Sequence, residues 1–125
     1  MSLSDILSKC RSDNDKIRQE AEKRIDMFAM NDFGKLLEDC AQELANEASI
    51  KENRQLCATL IKNLILYQPK HLGKWEQLNP NIKFRIKNSV ISCLASKIKE
   101  IRRGAAITVA GKFSFLIFSF RNLQT

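Results

Sequence analysis

The sequence is poor in the residues that make turns, with four glycines and two prolines among 125 residues. An all-β sandwich needs many short strands joined by turns rich in these residues, so the composition argues against that class. Hydrophobic residues make up 44% and charged residues 28%, as is typical of a globular chain. A chain of this length holds one domain or a few copies of a small repeat. We therefore expect a helical globular protein.

Histidine is nearly absent, and this limits the chemistry that the chain can perform. His71 is the single histidine, which excludes a cluster of histidine metal ligands and a relay of two imidazoles. It lies in a loop, where we expect it to be solvated. The segment 104–112 has two glycines and a lysine, but six residues separate the glycines and Phe113 follows the lysine, unlike a phosphate-binding loop. Helix packing through small residues explains these glycines better. We therefore expect that the protein is not an enzyme and that it has no catalytic, metal or cofactor site.

The four cysteines include no Cys-x-x-Cys pair, and each lies among apolar residues at helical spacing. This pattern indicates buried thiols in a reducing compartment rather than disulfides. The cysteines are Cys10, Cys40, Cys57 and Cys93. The longest apolar run, 113–120, is much shorter than the roughly 20 residues of a membrane-spanning helix. Since the N-terminus also lacks a basic and apolar leader, we expect a soluble protein of the cytoplasm and nucleus.

Charge is divided unevenly along the chain. Residues 1–50 carry 7 Lys and Arg against 11 Asp and Glu, whereas residues 51–125 carry 14 against 3, so the halves have net charges of −4 and +11. The basic half is either a solvated face or a surface for an anionic partner. A basic helical module that binds nucleic acid through phosphates is therefore an alternative function. Phe84 is the one aromatic residue among these cations, so stacking on bases is poorly supported and nucleic acid is not the expected partner.

Apolar residues fall into six stripes with the 3.6-residue period of helices. Several starts are marked by capping residues: Ser12 or Asp13, a capping box from Ser49 to Glu52, and Asn79 followed by a proline. Short connections pair neighbouring helices into hairpins. The predicted pairs are 2–10 with 12–30, 32–46 with 49–67, and 80–97 with 99–111.

The hairpins recur at the period of a known repeat class. Ser12 and Ser49 are 37 residues apart, and Asp32 and Asn79 are 47 apart, close to the roughly 40–47 residues of HEAT and armadillo repeats. We predict an all-α, right-handed α-solenoid of about three HEAT-type hairpins, with a compact helical bundle as the alternative. The repeats would occupy residues 1–111, as about 1–30, 32–67 and 80–111. Residues 112–125 are an atypical apolar tail, which we interpret as a truncated or mis-spliced reading of a longer gene.

Four sequence elements, taken in order, resemble the N-terminal domain of the importin-β (karyopherin-β) family of nuclear transport receptors over residues 13–103. The second helix has an Arg-x-x-Ala-Glu pattern, and the fourth has an arginine and an alanine ahead of a Leu-Ile-Lys-Asn run. A tryptophan in the long loop and an Arg-Ile-Lys-x-x-Val pattern follow. These elements are Arg18 to Glu22, Arg54 to Leu64, Trp75, and Arg85 to Val90.

The resemblance implies a function that the periodicity does not. Members of this family are HEAT-repeat superhelices that carry cargo through nuclear pores, and their N-terminal repeats bind the GTP form of the small GTPase Ran through B helices. Here those helices are 12–30, 49–67 and 99–111. The implied contacts with a Ran-type GTPase are Lys62, Asn63, Arg102 and Arg103. Arg54 and Trp75 are expected to be architectural, Arg54 as a hydrogen bonder between repeats and Trp75 as an anchor of the loop.

The resemblance also limits what this chain can be expected to bind. It covers only the first three repeats of such a receptor, so cargo, adaptor and pore-protein sites are expected in later repeats. We expect the protein in the cytoplasm and nucleus, with no cofactor and no membrane contact.

Overall fold

The computed structural model describes residues 2–67, 71 and 73–110, which are mostly helical and contain no β-strand. The six helices are α1 (Leu3–Cys10), α2 (Asp15–Asn31), α3 (Phe33–Ala45), α4 (Lys51–Lys62), α5 (Pro80–Ser92) and α6 (Lys99–Thr108). Helix α4 continues into a π-helical turn, Asn63–Tyr67, and α5 ends in a 3-10 turn, Cys93–Ala95. The predicted tail 112–125 lies outside the described residues. Within those residues no helix has both the length and the apolar character that a membrane crossing requires.

Four of the helices begin with a side-chain cap. In each, a side-chain oxygen of the capping residue accepts a hydrogen bond from a backbone N–H of the first turn. The capping residues are Ser2, Asn14, Asp32 and Asn79. At α5, Asn79 accepts from the N–H of Asn81 at 2.8 Å, and Pro80 occupies the first helical position. A proline there costs no hydrogen bond, since the first N–H groups of a helix have no partner within it. The start predicted at this position is confirmed.

Two predicted caps are wrong, and in both cases the serine hydroxyl has another partner. Ser49 donates to the carboxylate of Glu43 at 2.8 Å, a charge-assisted bond that competes with the capping box, and α4 begins after Ile50 without a side-chain cap. The Ser12 hydroxyl accepts from the N–H of Asn14 at 3.1 Å. It therefore shapes the turn before α2, and Asn14 itself caps that helix.

The helices form hairpins whose two layers continue from the second hairpin to the third. Helix α1 packs on α2 and α3 on α4, while α6 contacts both α5 and its closing 3-10 turn. Between hairpins, α3 packs on α5 and α4 on α6. Such nearest-neighbour stacking is the arrangement of a solenoid rather than of a closed bundle. The first hairpin joins differently, with α1 against α4 and α2 against α3.

A buried asparagine fastens the first hairpin to the second. Asn53 of α4 is 4% exposed. Its side-chain oxygen accepts from Nη2 of Arg11 at 2.6 Å, and its amide nitrogen donates to Oγ of Ser4 at 3.2 Å. Ser4 lies in the first turn of α1 and Arg11 directly after its last. Both ends of α1 are therefore hydrogen-bonded to one side chain of α4.

A buried arginine ties α4 to the end of α3. Arg54 is fully buried, and its Nε donates to the backbone carbonyl of Leu44 at 2.8 Å. Its Nη1 lies 3.3 Å from Oε2 of Glu47, so the charge has a carboxylate partner. Sγ of Cys93 in the third hairpin lies 3.7 Å from the same Leu44 carbonyl and 3.3 Å from the carbonyl of Ser89, so its single proton is shared between two acceptors. Arg54 is therefore architectural as expected, but the hydrogen bonds it donates lie within the second hairpin and not between repeats.

The loop before α5 is anchored by two buried rings. Trp75 is 6% exposed, and the ammonium of Lys87 lies 5.9 Å from its ring centroid, within cation–π range. His71 is 2% exposed, with its ring centroid 5.5 Å from that of Phe33 at the start of α3. The prediction of a solvated histidine is wrong, because the ring of a residue distant in sequence packs against it.

Candidate functional site

The candidate site is a groove between α4 and α6, the two stacked helices of the second and third hairpins. Its volume is about 250 Å³. The groove is lined by Gln55, Ala58, Thr59, Lys62, Glu100, Arg103, Gly104 and Ile107. Along each helix these residues recur at spacings of three and four, which places them on one face.

The two helices approach closely at one pair of small residues. A Cβ atom placed on Gly104 would lie 2.9 Å from the Cβ of Ala58, closer than two such atoms can be. The absence of a side chain at residue 104 is therefore what permits this helix spacing. Gly104 lies within α6, and the prediction that it serves helix packing is confirmed, whereas Gly111 lies outside the described residues.

An ion pair lies at the end of the groove where α4 and α6 begin. Nζ of Lys51 is 3.3 Å from Oε1 of Glu100. A hydrogen bond from its own backbone N–H lowers the pKa of the Glu100 carboxyl below its ordinary value, and the Lys51 ammonium and the nearby Arg103 lower it further. The carboxylate is therefore ionised at neutral pH and already neutralised by Lys51.

The structure brings two of the four sequence-predicted contact residues together. Lys62 on α4 and Arg103 on α6 line the same groove. Asn63 follows Lys62 as the first residue of the π-helical turn and is half-buried, outside the groove lining. Arg102 is exposed, and its Nη1 donates to the carbonyl of Ser96 at 2.8 Å, in the turn between α5 and α6.

The sequence predicted only Lys62 and Arg103 of the eight lining residues, and the six that it missed as contacts include Gln55, Thr59 and Ile107. Ile107 had a detectable signal, because it lies off the apolar stripe of α6 and its side chain is 50% exposed. Gln55 and Thr59 are polar residues on an outer helix face, and nothing in the sequence distinguishes them from other solvated positions. The Thr59 hydroxyl donates to the carbonyl of Gln55 at 3.2 Å, so its hydrogen bond is made within α4.

A second groove lies between α3 and α5, on the other layer of the stack. Its volume is about 240 Å³, and it includes Phe84, whose side chain is 64% exposed. Here Nε of Arg85 lies 3.0 Å from Oε1 of Glu38, so the cation of this groove is paired. Among the described residues, no cluster of three or more His, Cys, Asp or Glu side chains could hold a metal ion.

The geometry defines a class of protein, a segment of a HEAT-type α-solenoid. In sequence the chain is similar to importin subunit beta-1 of Schizosaccharomyces pombe, with 28% identity over 88% of this chain. It is also similar to importin subunit beta-1 of Arabidopsis thaliana, with 23% identity over 88% of this chain. The chain spans 13% of the length of each of these relatives. No protein-family model matches the chain.

Solved structures agree with the sequence matches. A crystal structure of importin-β in an ammonium sulfate condition superimposes with a TM-score of 0.81 and 25% identity, covering 86% of this chain and 13% of that one. Two structures of Kap95, one with RanGDP and one with Nup1, give TM-scores of 0.77 and 0.78 at 24% identity, covering 89% of this chain and 14% of each. The all-α HEAT solenoid and the resemblance to the importin-β family are therefore confirmed.

Proposed function

We propose that this chain is a protein-binding segment of a nuclear import receptor, and that the α4–α6 groove contacts a Ran-type small GTPase in its GTP form. The observation that carries the proposal is that Lys62 and Arg103, from two different hairpins, line one groove. Asn63 and Arg102 adjoin them in the chain and extend the proposed contact surface. Binding through such a surface requires no catalysis, so the segment acts by association and not as an enzyme.

The preference for the GTP form follows from the thermodynamics of a switch. In the related Kap95–RanGDP complex, Kap95p binding induces the switch loops of RanGDP to adopt the GTP-bound conformation. If this chain selects the same conformation, the GDP form must use part of its binding free energy to change shape. Affinity for the GDP form is then lower by the cost of that change.

The proposed function also implies where the protein occurs and which other proteins the receptor binds. A chain that binds a Ran-type GTPase during nuclear import would occur in both cytoplasm and nucleus, at the nuclear pore. A relative, Kap95, forms a complex with Nup1. Because this chain spans only 14% of that structure, we assign pore-protein, cargo and adaptor binding to regions beyond this segment.

The test is a calorimetric titration of the chain with Ran, loaded in parallel with a non-hydrolysable GTP analogue and with GDP. We expect binding of the GTP form to be at least about tenfold tighter, and Lys62→Ala and Arg103→Ala each to weaken it about 5- to 30-fold. Lys97→Ala is the control, since Lys97 is exposed in the α5–α6 turn and lies outside the groove. Equal affinity for both nucleotide states, or an equal loss in the control, would contradict the proposal.

A further inference from the structure

We propose that the α4–α6 groove recognises an aliphatic side chain next to a carboxylate on a partner polypeptide. The inference concerns the groove of the proposed function and takes its biological setting from it, but the chemistry is read from this groove alone. It names the kind of surface element that the partner must present.

The apolar part of the site comes from small and branched side chains. Ala58 and Gly104 meet at the bottom of the groove, where a Cβ on Gly104 would lie 2.9 Å from that of Ala58. Ile107 lines the groove with half of its side chain exposed. An aliphatic side chain bound there would remove apolar surface of Ile107 from water, a favourable change. The lining contains no aromatic ring, and its apolar surface is entirely aliphatic.

The charged part of the site is a pair of cations outside any salt bridge, although Arg103 is near enough to Glu100 to lower the pKa of that carboxyl. Within the described residues, Lys62 and Arg103 form no salt bridge within 4.0 Å, whereas the groove's one carboxylate, Glu100, is paired with Lys51. The groove is therefore net positive and complementary to an anionic group on a partner. A carboxylate next to the buried aliphatic group gains attraction from both cations.

The α3–α5 groove provides an internal comparison. It is similar in volume, at about 240 Å³, and Phe84 supplies exposed apolar surface. Its arginine, Arg85, is already paired with Glu38 at 3.0 Å. The two grooves therefore differ in available positive charge more than in size or apolar surface. We expect only the α4–α6 groove to distinguish an acidic ligand from its neutral analogue.

The experiment uses small peptides, so that it does not depend on the GTPase. The full chain, labelled with ¹³C at methyl groups, is titrated by NMR with acetyl-Leu-Asp-amide, acetyl-Leu-Asn-amide, acetyl-Gly-Asp-amide and inorganic phosphate. We expect the Ile107 and Ala58 methyl signals to shift with the first peptide, at least about threefold more tightly than with the others. Equal response to the Asp and Asn peptides, or an equal response to phosphate, would overturn the inference.

Variants separate the groove from the rest of the surface. Ile107→Ala and Lys62→Gln should each weaken binding of the Leu-Asp peptide at least about threefold. Phe84→Ala and Lys97→Gln, matched changes outside the groove, should leave it unchanged. An equal loss in these controls would overturn the inference. A chain that binds the peptide but not GTP-loaded Ran would keep the inference and reject the proposed function. A chain that binds GTP-loaded Ran but shows no shifts with the peptide would keep the proposed function and reject the inference.

Discussion

Arg54 and Cys93, from neighbouring hairpins, place donor atoms within hydrogen-bonding distance of the same backbone oxygen, the carbonyl of Leu44. The Nε of Arg54 lies 2.8 Å from it and the Sγ of Cys93 lies 3.7 Å from it. Burial raises the pKa of the Cys93 thiol, which keeps the donor proton in place at neutral pH. The carbonyl at the end of α3 therefore accepts from Arg54 within the second hairpin and contacts a thiol of the third, which also has the Ser89 carbonyl as an acceptor at 3.3 Å.

Replacing Arg54 by lysine should lower the free energy of unfolding by about 2–4 kcal/mol, because an ammonium cannot reproduce the planar fork that reaches both Leu44 and Glu47. Arg54 is fully buried, so water cannot replace the lost bonds. Urea unfolding followed by circular dichroism measures the change. Arg85→Lys is the control: its exposed pair with Glu38 should change stability by less than about 0.5 kcal/mol. Equal effects in the two variants would contradict this role for Arg54.

Gly104→Ala should destabilise the chain by about 1–3 kcal/mol, although alanine is the better helix former. The new methyl group would lie 2.9 Å from that of Ala58, which belongs to a short and rigid side chain. Moving the methyl group across the interface, in the double variant Ala58→Gly with Gly104→Ala, should restore most of the loss. Thermal unfolding of the wild type, both single variants and the double variant gives the coupling. Additive effects would show that the contact does not set the helix spacing.

Glu100 should make the chain more sensitive to acid. Its folded-state pKa is lowered from the ordinary value of 4.5, so its contribution is present above that value and is lost as pH falls through the folded pKa. Glu100→Gln should therefore reduce the loss of stability on acidification below about pH 4.5. A ¹³C NMR titration of the carboxyl in Lys51→Ala should show a pKa that rises yet stays below the ordinary value, because the backbone hydrogen bond remains. An unchanged pKa would contradict the pairing.

The thiols should differ in reactivity according to burial. Cys10 is partly exposed, whereas Cys40, Cys57 and Cys93 are buried, and all four are free. The neighbouring Cys40 thiol, together with burial, raises the pKa of Cys57 far above its ordinary value. Alkylation by iodoacetamide at pH 8, followed by mass spectrometry, should modify Cys10 in the folded chain and the other three only after unfolding. Labelling of all four at one rate would contradict the burial.

The fold was largely predictable because its signals are local. The 3.6-residue stripes and the Asn79-Pro80 start depend on residues within a turn or two of one another. The predictions that failed have two causes. The Ser12 and Ser49 caps were lost to nearby residues, since Asn14 caps α2 itself and Glu43 accepts from the Ser49 hydroxyl. His71 is buried by Phe33, a partner distant in the chain that no local pattern contains.

The groove was predictable only in part, for the same physical reason. The resemblance indicated Lys62 and Arg103, but not that they line one groove, which depends on the Gly104–Ala58 contact between hairpins. Ile107 could have been found from the sequence, since an isoleucine off an apolar stripe is exposed. Gln55 and Thr59 could not, because surface polar residues carry no signal of what lies opposite them.

The two hydrogen bonds of Asn53 have a consequence for the order in which a growing chain can assemble. Ser4 and Arg11 leave the ribosome long before Asn53, so α1 is made well ahead of the side chain that holds both of its ends. Helix α2 can pack on α3 before α4 is made, but the ends of α1 are held only once Asn53 has emerged. The first hairpin is therefore synthesised first, but its packing is completed only after the second hairpin has been made.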